Sequence, residues 1–108
     1  MQKMSLEAIA REQLAEARRG SGRAATTVFG GHEQVLRQTV IGLVADADMQ
    51  EHESPGPATL HVLSGRVRLT AGADSWDGRT GDLIVIPPVR HSVSALEDSV
   101  VLLTVAKV

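Results

Sequence analysis

The chain has 108 residues, room for one domain, and a hydrophobic share of 43% that suits a packed globular core. Its formal charge is -2, its Lys and Arg are scattered, and only Phe29 and Trp76 are aromatic, so no basic stripe with stacking rings is present and a nucleic-acid surface is excluded from expectation. The absence of cysteine rules out thiol chemistry and disulfides, no apolar run approaches a membrane span, and the charged N-terminal segment holds no signal core, so the expected location is the cytoplasm.

Residues 5–19 read as an amphipathic helix. Ser5 offers an N-cap hydroxyl, Leu6, Ile9, Ala10, Leu14 and Ala17 recur along one face, and Gly20 and Gly22 end the pattern. The stripe is narrow and rich in alanine, so this helix is expected to cover the domain, with an oligomer contact as the alternative. Helix and linker thus take residues 1–22, and a single β domain takes 23–108.

After Gly22 the period changes. Segments 24–30, 34–45, 58–64, 66–71, 82–87, 92–96 and 99–106 are rich in Val, Ile, Leu and Thr, with turn residues at 30–31, 54–57, 71–75, 77–81 and 97–98. Short strands with no helical crossover predict an antiparallel sandwich or barrel. Along 58–64, alternation puts Ala58, Leu60 and Val62 on one face and Thr59, His61 and Leu63 on the other. Gly65 allows a tight turn into 66–71. The strand from Gly81 ends at Pro87 and Pro88, which cannot donate to a ladder, and the stiff loop that follows delivers His91.

Groups able to do chemistry are few. No helical His pair, nucleophile elbow or phosphate-cradling loop occurs, which leaves His32, His52, His61 and His91. His32 sits beside the turn glycines Gly30 and Gly31 and reads as a solvated loop residue. Two segments concentrate the remaining signal: "HESPGPATLHVLSGRVRL" at 52–69 and "GDLIVIPPVRHS" at 81–92. Together they resemble the two motifs of the cupin superfamily. His52, Ser54, Ala58 and Gly65 fall in the register of the first motif, and Gly81, Pro87 and His91 in that of the second. Val89 stands where the motif has glycine, and His91 comes one residue early.

The resemblance covers about residues 35–106 and implies an all-β fold, a cupin-type antiparallel jelly-roll barrel preceded by the amphipathic helix. It also implies a pocket inside the barrel and a homodimer formed through sheet faces or strand exchange. The family's metal site resembles three histidines and a glutamate around Fe, Mn, Zn or Ni. Carried over position by position, His52 and His91 are kept, while Ser54 replaces a histidine and Ala58 replaces the glutamate. Two imidazoles leave a divalent ion short of ligands. By strand parity Glu51, Glu53 and His61 point away from His52.

The candidate ligand pocket is therefore His52, Ser54, Ala58, Leu60 and His91, with Gln38 and Arg90 as outer members, and the candidate metal ligands are His52 and His91. Arg66 and Arg68 share a strand face and could meet a carboxylate or phosphate, or simply be solvated. Trp76, placed near a hairpin tip, would cap the barrel, join an interface or stack on a ligand. Leu63, Val67 and Leu69, read as an outer face, would be covered in a dimer. Three functions stay open. One is a cupin binding a small molecule as sensor, carrier or accessory protein; the others are a metal-dependent dioxygenase, isomerase or lyase and a structural or partner-binding module.

Overall fold

Ser5 starts the first element: its hydroxyl accepts the Ala8 N–H at 3.1 Å, and the helix α1 runs Leu6–Arg19. The computed structural model describes residues 2–52 and 56–107, with Glu51 and His52 by backbone only. Ser54 and the start of the 54–57 turn lie outside the described residues, as do the side chains of Glu51 and Glu53. Glu7 in the first turn of α1 and Arg18 and Arg19 in the last turn suit the helix dipole.

Among the described residues nine strands follow. They are β1 (Arg23–Phe29), β2 (Leu36–Leu43), β3 (Asp48–His52), β4 (Ala58–Ser64), β5 (Arg66–Ala71), β6 (Asp74–Arg79), β7 (Leu83–Val85), β8 (His91–Ala95) and β9 (Ser99–Ala106). A five-stranded sheet has the order β1-β2-β9-β4-β7, and a four-stranded sheet the order β3-β8-β5-β6. The pairings within both sheets are antiparallel. This is the jelly roll expected from the sequence, with one refinement: the two sheets face each other without closing into a hydrogen-bonded barrel.

The interior between the sheets is apolar. Ile41, Leu43, Leu60, Val62, Val67, Leu69, Ile86, Val93, Ala95 and Val101 form its core. Residues facing outward from the larger sheet, Val40, Val100 and Leu102, make a second core with Leu6, Ile9, Ala10 and Leu14 of α1. The helix thus covers the outer face of β1, β2 and β9, as its stripe predicted. Gly42 makes the seat. A Cβ there would lie 2.7 Å from the Gln13 backbone, so only glycine lets the helix main chain rest on the strand.

Three expectations need correction. Val67 and Leu69 are fully buried between the sheets, not on an outer face, while Arg66 and Arg68 are exposed. The chain passes from one sheet to the other at Gly65, whose φ is 91°, with a register shift between Val62 and Ser64 just before it. Parity counted across that crossing inverts. Leu63 does face outward, but it packs against the α1 core. Residues 74–79, read as parts of two turns, form β6, and Trp76 pairs with Leu69 within it instead of standing at a tip. The segment 34–45 is shorter, 36–43, and β3 follows it as a separate strand.

Candidate functional site

The second motif builds the site's rigid side. Gly81 turns with φ 94°, Ile84 enters the core, and Ile86 still donates its N–H to Ala58 at 3.0 Å before Pro87 ends the pairing. The chain returns at His91 as the first residue of β8. There alternation points His91, Val93 and Ala95 inward, each buried, with His91 only 3% exposed.

A buried imidazole needs its polar atoms satisfied. His91 Nδ1 lies 2.8 Å from the Val89 carbonyl, two residues back in the loop. A carbonyl can only accept, so Nδ1 donates its hydrogen, and in the neutral ring Nε2 carries the lone pair. This arrangement, one ring nitrogen locked on a backbone carbonyl, is also how an imidazole is oriented for a ligand or an ion.

Across the smaller sheet, the backbone of β3 runs antiparallel to β8, and His52 is the register partner of His91. The pairing is interrupted between Met49 and His52, where β3 carries an extra residue against β8. Met49 packs on the interior core opposite Val93. The two motif histidines, 39 positions apart by their numbers, thus sit at one register position on neighbouring strands.

The other sequence candidates divide. Ala58 and Leu60 face inward on β4, in the opposed sheet, with Ala58 packed against the core and Leu60 fully buried. Arg90 is exposed in the loop immediately before His91. Ser54 lies outside the described residues. Gln38 does not join the set: it shares the outer face of the larger sheet with Val40, and its Nε2 donates to Thr104 Oγ1 at 3.1 Å. His61 lies on that same outer face, between Leu102 and Leu83 in register, while its neighbours Leu60 and Val62 face inward. Arg68 is committed to Asp77 through paired hydrogen bonds of 2.7 and 3.1 Å, and this pairing holds the Asp77 carboxyl below the usual carboxylate range.

Where the sheets stay open, clefts reach the interior. One of about 490 Å³ lies between the edge strands β1 and β3 and is floored by Ile41 and Met49. Arg23 bridges this opening, donating to the Asp48 carbonyl at 3.2 Å. Sequence reasoning did not single out Met49 or Arg23. Another cleft, of about 390 Å³, lies between β6 and β7 beside Trp76, whose 46% exposure reflects its place on an edge strand.

The donor set can be tested against the metal that the motifs imply. Ala58, at the position of the family's carboxylate, offers a methyl group packed on the core and nothing to coordinate. Among the described residues no group of three His, Asp or Glu gathers at a point. Two imidazoles with that alanine do not fit a complete four-ligand centre.

Solved structures resemble this chain closely in fold. A cupin superfamily protein (DSY2733) from Desulfitobacterium hafniense matches with a TM-score of 0.73 at 13% identity, covering 80% of this chain and 78% of that one. Salicylate 1,2-dioxygenase from Pseudoaminobacter salicylatoxidans, in a complex with gentisate, matches with a TM-score of 0.80 at 18% identity over 95% of this chain but only 33% of its own. The fold is that of a cupin domain. More particularly, the chain belongs to one family with the SPY1581 protein of unknown function from Streptococcus pyogenes, at 30% identity and a TM-score of 0.72 over 80% of this chain and 75% of that one. No family model and no curated protein matches the sequence.

Proposed function

We propose that the protein binds a small polar organic molecule at the His52–His91 end of the sandwich, as a sensor, carrier or accessory protein rather than through a complete metal centre. The observation that carries this reading is the register pairing of His52 with the buried, carbonyl-locked His91. An oriented imidazole among apolar side chains is the usual composition of a small-molecule site. Ala58 and Leu60 supply the apolar side, and Arg90 at the rim suits an anionic substituent.

A ligand-observed NMR screen of small polar molecules tests this, with salicylate and gentisate included because the dioxygenase of similar fold is named for one and its structure holds the other. Hits that vanish in His91→Ala support the site. Hits that bind His91→Ala equally, or no hits at all, contradict it.

The orientation of His91 by a backbone carbonyl also favours a second reading, a metal-dependent cupin enzyme using His52 and His91 on Zn, Fe, Mn or Ni. It requires a further ligand from residues 53–55 or from a bound substrate. As for partners, the proposed one is a second copy. The outer face of the larger sheet beyond α1 presents Leu83 and Val85, 62% and 74% exposed, and the row Phe29–Gln38–Thr104–Thr59–Val85 crosses it without a charged residue.

A further inference from the structure

Helix α1 is seated unevenly. Its middle rests on the Gly42 backbone, and its C-terminal end is tied by Arg18, which donates twice to Asp98 Oδ2, at 2.8 and 3.1 Å. Its N-terminal half overhangs the strands β4 and β9 and leaves a cleft of about 420 Å³. That volume lies within the range of small-molecule sites, roughly 300–1,000 Å³. The walls come from two elements, Leu6, Ala10 and Leu14 on the helix and Leu63 and Val100 on the sheet.

Among the described residues, Glu7, Arg11 and Ser64 are the polar members of the lining. Ser64 stands at the sheet side, and on the helix side Arg11 pairs with Glu7 at 3.2 Å. Both side chains of that pair are largely exposed, 69% and 87%, so the pair is weak and its cation is readily re-partnered. Among the described residues that line the cleft, Arg11 is the cation.

We propose that this cleft is a second ligand site, distinct from the His52–His91 end, which takes an amphiphile with a slender apolar body and one carboxylate. The body lies between Leu6, Ala10 and Leu63, and the carboxylate replaces Glu7 on the Arg11 guanidinium, whose fork geometry matches two carboxylate oxygens. The helix supplies one wall and the sheet the other, so binding adds to the contacts that Leu6, Ile9 and Ala10 already make across this seam.

Decanoate, well below its micellar concentration, is the probe, titrated by calorimetry into the full chain, with decanol and acetate as the arms that lack one half of the chemistry. Saturable binding of decanoate at one site per chain is expected, with acetate not binding. Arg11→Gln weakens decanoate about tenfold and leaves decanol unchanged. Ala10→Trp fills the cleft and abolishes binding of both, and Leu63→Phe, on the opposite wall, does the same if the helix variant fails to fold. His91→Ala leaves decanoate binding unchanged, which separates this site from the other. Absent or unsaturable binding of decanoate, equal binding to the filled variants, or loss in His91→Ala would overturn the proposal.

Discussion

His91 joins the sequence motif to the physics of a buried polar group. Its ring is buried, and its Nδ1 is hydrogen-bonded to the Val89 carbonyl. Truncation in His91→Ala leaves a void and a carbonyl without its donor, and is expected to cost about 2–3 kcal/mol. Urea unfolding reads this, and an unchanged midpoint would mean that the imidazole does not hold the loop. At this scale much was legible. The alternation of Ala58, Leu60 and Val62 follows from period two, and the Pro87–Pro88 stop from missing donors. Gln38 was not, because nothing local tells which face of β2 meets the interior. That is set by the helix resting on Gly42, a contact between residues 13 and 42 that strand parity cannot report.

Among the elements, α1 rests on the outer face of the larger sheet through its apolar stripe and the Gly42 seat. Gly42→Ala forces a methyl group into the Gln13 backbone and is expected to destabilise the protein by about 2 kcal/mol, with faster amide exchange along α1 in hydrogen-exchange measurements. Unchanged exchange would remove the seat from this account. Asp98 ties the helix and the β8–β9 turn to residue 45. Its carboxyl is held below the ordinary aspartate range, first by the Ala45 N–H and next by Arg18. A depressed folded value means that this stabilisation is complete above the ordinary range, about pH 4, and is lost as pH falls through the folded value. Asp98→Asn should therefore lower the melting temperature at neutral pH, with the difference from the native protein shrinking in acid. A difference independent of pH would contradict the charge's role. The element boundaries that sequence missed share one cause. β3 and β6 are strands rich in polar residues, held by their sheet neighbours rather than by an apolar pattern of their own. The change of face at Gly65 arises where the chain switches sheets, which no count of alternation can detect.

For the whole molecule, the two facing sheets have the cupin fold and the chain shares a family with the SPY1581 protein, while its motif positions depart from a metal centre at 54 and 58. The dimer inferred from the family resemblance no longer rests on Val67 and Leu69, which the chain buries in itself. The proposal rests on the outer-face row through Phe29, Gln38, Thr104, Thr59 and Val85, which holds no charged residue. Light scattering at micromolar concentration should give twice the chain mass of 11.5 kDa, and Val85→Lys should shift it toward the monomer. A monomeric mass for the native chain would refute the dimer. The central claim is that His52 and His91 serve a ligand site without a complete metal centre. Metal analysis of untagged protein, incubated with equimolar Mn, Fe, Ni and Zn and then desalted, tests it most directly. The account predicts well under one equivalent of any metal per chain, unaffected by His91→Ala. One tightly held divalent ion per chain, lost in both His52→Ala and His91→Ala, would contradict it.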